Sequence, residues 1–133
     1  MNSEARCPPP APRPDEEGYR RLLASAEAKY QAGDFPGAVS EYRKALALRE
    51  TSAALGGLGR ALYDANQPKE AERALQRAVA LDRGNARAHL TLGMIYGEQG
   101  RRDEARKAYQ RYLALEPNGP YARDVRAVLK QME

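Results

Sequence analysis

The sequence predicts an all-α fold built from repeated pairs of helices, and two observations support this prediction. Alanine and leucine account for 24 and 14 of the 133 residues, whereas valine, isoleucine and threonine together account for only seven. Strands favour these β-branched residues, so their scarcity argues against a sheet. Apolar residues also recur at steps of three and four, as in Leu55, Leu58 and Leu62, which is the spacing of one helix face.

The chain repeats itself with a period of 33 to 34 residues, marked by Ala38, Ala71 and Ala105. Each alanine follows a small residue by twelve positions and precedes a large residue by four and a leucine by ten. In chain order these residues are Ala26, Gly59 and Gly93, then Tyr42, Leu75 and Tyr109, then Leu48, Leu81 and Leu115. A period of this length predicts a unit of two helices separated by a polar turn.

Gly59 and Gly93 lie inside predicted helices, where a glycine costs about 1 kcal/mol relative to alanine. Glycine is kept at such places when two backbones approach closely. We therefore expect Gly59 to face Ala71 and Gly93 to face Ala105 on the paired helix.

Residues 1–14 hold five of the nine prolines and predict a proline-rich, flexible tail or linker. The acidic residues 15–17 then predict a helix start, because negative charge is favourable at the positive end of the helix dipole. The folded domain is accordingly predicted to span residues 15–133. Pro36 and Pro68 fit the first turn of the second helix in their repeats.

The repeated pattern resembles the tetratricopeptide repeat (TPR) family, whose 34-residue unit is a helix-turn-helix. The repeats span about residues 19–51, 52–85 and 86–119. The third matches best, through Leu92, Gly93, Tyr96, Ala105, Tyr109 and Pro117. The first two carry Glu50 and Arg83 where the family usually has proline. The resemblance implies an α-solenoid of three helix-turn-helix repeats.

Residues 120–132 predict a seventh, C-terminal helix that begins at Pro120. Its apolar stripe consists of Val125, Val128, Leu129 and Met132. A stack of repeats leaves its last apolar face open, and a terminal helix with a polar outer side covers such a face. We therefore predict a capping helix there and not a fourth repeat.

The resemblance implies that the first helix of each repeat lines a concave groove. The residues on that stripe include aromatic, methionine and arginine side chains, the types enriched at binding surfaces. The candidate binding residues are Arg20, Leu23, Glu27, Tyr30, Arg60, Tyr63, Arg87, Leu90 and Met94. The predicted function is a non-catalytic interaction module that binds a peptide or helix, as an adaptor or scaffold, with the arginines favouring acidic groups. The alternative interpretation is that these side chains only pack against neighbouring helices.

Some members of this family hold the C-terminal carboxylate of chaperones with a set of Lys, Asn and Arg residues. The corresponding positions here carry Leu23, Glu27, Gly57, Arg87 and Thr91. Only Arg87 suits a carboxylate, so binding of a chaperone tail is not expected.

A self-associating scaffold is the competing prediction, with a homo-oligomer formed through the array ends or a basic convex face. The basic residues concerned are Arg101, Arg102, Arg106, Lys107 and Arg111. An enzyme is not expected, since His89 is interpreted as a structural residue and Cys7 has no activating neighbour beyond Arg6. No catalytic residue, cofactor or metal site is predicted.

The net charge of +4 is spread along the chain, with basic residues beside acidic ones. Nucleic-acid binding is therefore not expected, because it calls for basic residues gathered on one face. No apolar run is long enough to predict membrane insertion, and the first residues do not resemble a signal peptide, so a cytoplasmic location is expected. Arginine outnumbers lysine 17 to 5, which hints at a bacterial source.

Overall fold

The structure, a computed structural model, describes residues 13–133, and every regular element in that range is an α-helix. In chain order the helices are α1 (Pro14–Gln31), α2 (Phe35–Leu48), α3 (Ser52–Asp64), α4 (Pro68–Leu81), α5 (Ala86–Glu98), α6 (Arg102–Leu115) and α7 (Ala122–Gln131). The all-α prediction is confirmed. The predicted tail, residues 1–14, lies outside the described residues except for its last two.

The helices pack as three successive pairs, α1 with α2, α3 with α4, and α5 with α6. Each pair also contacts the next, both through α2–α3 and α4–α5 and through the first helices α1, α3 and α5. Helix α7 packs on α6. This arrangement of stacked pairs is the predicted α-solenoid.

A residue with a left-handed backbone conformation (positive φ) follows the end of the first helix in every pair. The residues are Gly33 (φ +83°), Asn66 (φ +65°) and Gly100 (φ +75°), which follow the repeat spacing. In the first turn the N–H of Gly33 donates to the carbonyl of Tyr30, and the N–H of Asp34 donates to that of Lys29. Such a pair of bonds satisfies carbonyls at a helix end and reverses the chain over only a few residues.

Large side chains of the second helices sit on small residues of the first helices. A Cβ atom added at Gly59 would lie 2.4 Å from Cγ of Leu75, and one added at Gly93 would lie 2.8 Å from the ring of Tyr109. Both added atoms would overlap their neighbours. Glycine is therefore required at these two places for the helices to approach as they do.

The atoms nearest to the two glycines belong to side chains larger than those of the predicted partners. Ala71 and Ala105 are fully buried, and Leu75 and Tyr109, four residues later, supply the three atoms nearest to each glycine. Side chains on a helix lean toward its N-terminus, so each covers a spot about one turn before its own Cα. The large residue therefore packs against the glycine at the level of the preceding alanine.

The last helix begins at Ala122, two residues after the predicted start at Pro120. The buried Tyr112 supports the turn before it, because its hydroxyl accepts a hydrogen bond from the N–H of Tyr121 at 3.2 Å. Val125 is buried, whereas Val128 is 37% exposed. Only part of the predicted apolar stripe is therefore covered by the preceding repeat.

The fit between Gly59 and Leu75 predicts a non-additive pair of substitutions. We expect Gly59→Ala to lower the free energy of unfolding by about 1–3 kcal/mol through overpacking. Leu75→Ala should lower it by about 2–5 kcal/mol through a cavity. The double variant should lose less than the sum, because the smaller residue at position 75 makes room for the added methyl group.

Urea denaturation of the single and double variants measures this coupling. Gly97→Ala is the matched control, since a Cβ at Gly97 in α5 meets nothing within 4 Å. It should stabilise the protein by about 0.5–1 kcal/mol through helix propensity. Equal effects of Gly59→Ala and Gly97→Ala would contradict the close approach.

Candidate functional site

A cavity of about 470 Å³ lies between the first helices and α7. We call this cavity the groove. Its lining comes from α1, α3 and α5, from Tyr109 of α6, and from α7 together with Tyr121 just before it. Six of the nine predicted binding residues line it, namely Tyr30, Arg60, Tyr63, Arg87, Leu90 and Met94.

The other three predicted residues, Arg20, Leu23 and Glu27, do not line the groove. Arg20 and Glu27 are exposed, and Leu23 packs half-buried against the core. All three lie earlier on α1, whereas the groove includes only the last turn of that helix, at Tyr30 and Gln31. The stripe predicted along α1 is therefore longer than the part that meets the groove.

Helix α7 supplies groove residues that the sequence analysis assigned only to capping. Tyr121, Asp124, Val125 and Val128 line the groove. The repeat period contained the signal, because Tyr121 follows Arg87, and Val128 follows Met94, by 34 residues. Helix α7 thus carries residues at the repeat spacing of a first helix, although it packs on α6 and makes no close backbone contact with α5.

Two tyrosines tie successive first helices together along the groove. The hydroxyl of Tyr30 on α1 donates to Asp64 on α3, and the hydroxyl of Tyr63 on α3 donates to Glu98 on α5 at 3.0 Å. Burial, followed by the hydrogen bond and charge of Asp64, raises the pKa of Tyr30 to about 12. Burial and the bond to Glu98 raise the pKa of Tyr63 to about 12 as well. Both hydroxyls therefore stay protonated and keep donating at neutral pH.

Arg60 lies half-buried in the groove, with its guanidinium carbon 4.0 Å from the centre of the Tyr30 ring. Its Nε is buried and has no hydrogen-bond partner within residues 13–133, and Arg60 takes part in no salt bridge there. Burial raises the pKa of Tyr42, and the charge of Arg60 and a hydrogen bond with its side chain oppose that rise. Arg60 is thus a half-buried cation that no carboxylate in the described part of the chain pairs with.

Arg87 is a second cation on the groove wall. Its guanidinium lies over the ring of Tyr121, 5.7 Å from the ring centre. Thr91, one turn later, is buried and donates to the carbonyl of Arg87 at 3.1 Å. Thr91 is therefore engaged by its own helix.

The position of Gly57, which corresponds to one of the chaperone-binding residues of related proteins, is occupied by a neighbour. A Cβ atom added at Gly57 would lie 2.4 Å from the ring of the buried Tyr42. No side chain can project from position 57 without displacing that tyrosine.

The repeats seen in this structure agree with family models. A model described as tetratricopeptide repeat matches residues 62–129, more than half of the chain, and a second model with the same description matches residues 23–86.

This chain belongs to the tetratricopeptide repeat family.

Solved structures of TPR domains share the fold. The TPR domain of OM64 from Arabidopsis is 22% identical and superposes with a TM-score of 0.83, over 90% of this chain and 99% of that one. The first TPR domain of Spaghetti (RPAP3), bound to the HSP90 peptide SRMEEVD, is 22% identical with a TM-score of 0.79, over 87% and 93% of the two chains. The type III secretion translocator chaperone SycD of Yersinia enterocolitica is 19% identical with a TM-score of 0.79, over 85% and 81%. No curated protein sequence matches this chain.

The basic residues of the predicted convex face are largely engaged inside this TPR domain. Arg101 pairs with Glu72 at 2.8 Å and with Glu104 at 2.7 Å. Arg102 and Arg106 donate to the carbonyl of Met132, at 3.1 and 3.4 Å. These contacts fasten α6 to its neighbours and leave fewer free cations for an acidic partner.

His89 is half-buried, and its Nε2 lies 3.0 Å from the carbonyl oxygen of Arg83. Burial lowers the pKa of His89, and the hydrogen bond to that carbonyl opposes the change. Cys7 lies outside the described residues.

Residues 13–133 contain no cluster of three or more His, Cys, Asp or Glu side chains that could hold a metal ion. None of the seven helices described is both long and apolar enough to cross a membrane.

The raised pKa values of Tyr30 and Tyr63 predict a loss of stability at high pH. The ordinary tyrosine pKa is about 10, so the unfolded chain releases these protons before the folded protein does. Their contribution is therefore complete below about pH 10 and is lost as the pH rises through about 12.

Denaturant melts between pH 9 and pH 12 measure this loss. A Tyr30→Phe, Tyr63→Phe double variant removes both titrating groups, so its stability should fall less steeply with pH than that of the unaltered protein. The slopes are compared because the variant also loses two hydrogen bonds at neutral pH. Identical slopes would contradict the assigned pKa values.

Proposed function

We infer that this TPR domain is a protein-interaction module whose groove binds a peptide or helix carrying an acidic side chain, in an adaptor or scaffold role. The observation that carries this proposal is Arg60. Its guanidinium carbon lies 4.0 Å from the centre of the Tyr30 ring, it lines the groove, and it forms no salt bridge with a carboxylate within residues 13–133. An acidic side chain of a ligand would supply that partner.

The apolar part of the groove supports binding of a side chain next to the acid. Tyr63, Leu90, Met94 and Val128 form a largely apolar surface beside Arg60. Binding sites commonly combine such a surface with a few placed polar groups, which orient the ligand. A peptide with one acidic and one apolar anchor matches both features.

The same fold has been solved with an acidic peptide in another protein. The HSP90 peptide bound to the first TPR domain of Spaghetti, SRMEEVD, contains three acidic residues and one basic residue. In this chain, Leu23 and Glu27 lie outside the groove and position 57 has no side chain. We therefore assign the acid to Arg60 and Arg87, and not to the carboxylate-binding set of chaperone-binding relatives.

Charge reversal at Arg60 tests the proposal. A random peptide library displayed on phage is selected on the full chain, and the affinity of the selected peptides is measured by calorimetry. We expect the peptides to carry Asp or Glu, and Arg60→Glu to weaken them at least about tenfold, which corresponds to about 1.4 kcal/mol. Raising the salt concentration should also weaken them, because part of the attraction is electrostatic.

Two further variants keep this experiment specific. Arg73→Glu is the matched control, since Arg73 is exposed on α4 and does not line the groove, and it should change affinity less than twofold. Arg60→Met removes the charge but keeps an apolar chain over Tyr30, so it should retain the fold and still lose affinity. Selected peptides that bind the folded Arg60→Met protein as tightly as the unaltered one would end this assignment.

A further inference from the structure

The link between tyrosine and carboxylate is present in two repeats and interrupted in the third. Tyr30 and Tyr63 occupy equivalent positions, 33 residues apart, and each donates to a carboxylate on the next first helix. The equivalent residue of the third repeat is Gly97, 34 residues after Tyr63. The place of the carboxylate, 34 residues after Glu98, is taken by Met132.

The missing side chain leaves an open space. A second cavity of about 380 Å³ lies beside Gly97, between α5, α6 and α7, and we call it the hollow. A Cβ atom added at Gly97 meets no atom within 4 Å. Tyr109 and Val128 line both the hollow and the groove, so the two cavities adjoin.

The lining of the hollow favours an aromatic ring. Tyr109, Val128 and Met132 give it apolar walls. Arg102 is its only charged lining residue, and an arginine is attracted to the negative face of an aromatic ring. The same pairing occurs elsewhere in this fold, where Arg101 lies 4.4 Å from the centre of the Tyr96 ring.

The chemistry of the lining also distinguishes between rings. In the first two repeats the tyrosine hydroxyl meets a carboxylate, whereas no carboxylate of the described residues lines the hollow, where Met132 offers a thioether and Gln131 an uncharged amide. A ring without a hydroxyl is therefore the better match, and phenylalanine is the nearest equivalent of the absent tyrosine.

We propose that the hollow beside Gly97 binds a phenylalanine-like aromatic side chain of the peptide that occupies the groove. The ring takes the place that the tyrosine side chain fills in the preceding repeats, with Arg102 against its face. This assignment rests on the proposed function and adds the second anchor of the ligand to the acidic one.

A small aromatic probe tests the hollow without any peptide. N-acetylphenylalanine amide is titrated into the full chain, and the methyl signals of Met132 and Val128 are followed by NMR. Met132 lines the hollow only, so a saturable shift of its signal is expected. N-acetylalanine amide should not produce that shift, because it lacks the ring.

One substitution fills the hollow and a second serves as its control. Gly97→Tyr places in the hollow the side chain that the other repeats carry, and it should abolish the shift of Met132. Arg73→Tyr adds the same side chain on the exposed side of α4, away from both cavities, and should leave the shift intact. An unmoved Met132 signal in the unaltered chain, or an equal shift in the folded Gly97→Tyr protein, would overturn the proposal.

Selected peptides separate the hollow from the groove. Peptides from the displayed library should share an aromatic residue at one fixed spacing from the acid. Gly97→Tyr should weaken their binding at least tenfold, whereas Arg73→Tyr should change it less than twofold. If the peptides bind Gly97→Tyr as tightly as the unaltered protein but bind Arg60→Met more weakly, the hollow is overturned as a binding site and the proposed function stands. A Met132 shift with the probe, without any effect of Arg60→Met on the peptides, would instead overturn the proposed function.

A second copy of the chain is the remaining candidate occupant of the hollow, and sedimentation velocity tests for it. The proposal expects the same sedimentation for the unaltered and Gly97→Tyr proteins. A dimer that Gly97→Tyr dissociates would show that another protomer fills the hollow and would overturn the peptide assignment.

Discussion

The rest of this structure depends on the close packing of one large side chain against one glycine within a helix pair. Leu75 packs where a Cβ at Gly59 would stand, and Tyr109 packs where a Cβ at Gly93 would stand. Both large side chains are buried, so the contact fixes the separation of the helices in each pair. Because interiors are close-packed, a change at this contact is transmitted to the neighbouring repeat. The first helices are thereby held in the register that brings Tyr30 beside Asp64.

The groove depends on that register for its electrostatics. The hydroxyls of Tyr30 and Tyr63 donate to carboxylates on the next helix, and neither acid forms a salt bridge with the nearby arginine. Arg60 is left stacked on Tyr30, and its buried Nε has no acceptor in the described part of the chain. The same tyrosine thus holds the guanidinium by its ring and the competing acid by its hydroxyl. Tyr30 of the first repeat thereby positions the cation of Arg60 in the second repeat.

Helix α7 combines two roles that are usually considered separately. It buries Ala122 and Val125 against the preceding repeat, which closes the stack. It also presents Tyr121 and Val128 to the groove, and both side chains remain about two-fifths exposed. The cap is therefore one wall of the candidate site, and any change in its packing alters the shape of the site.

The sequence by itself determined the helical repeats, because the 33- to 34-residue period and the small residues inside helices are local requirements that composition and spacing record. Six of the nine residues predicted for the groove line it, since the three- and four-residue steps assign residues of the first helices to faces and the family resemblance indicates which face lines a groove. The partner of Gly59 and the role of α7 were decided by the tertiary structure. The lean of side chains along a helix moves Leu75 onto the glycine, and the packing of α7 on α6 carries Tyr121 and Val128 into the groove. The groove includes only the end of α1 and leaves Arg20 outside. This limit depends on the position of α7 relative to α1, and the periodicity within one helix does not record the position of another helix.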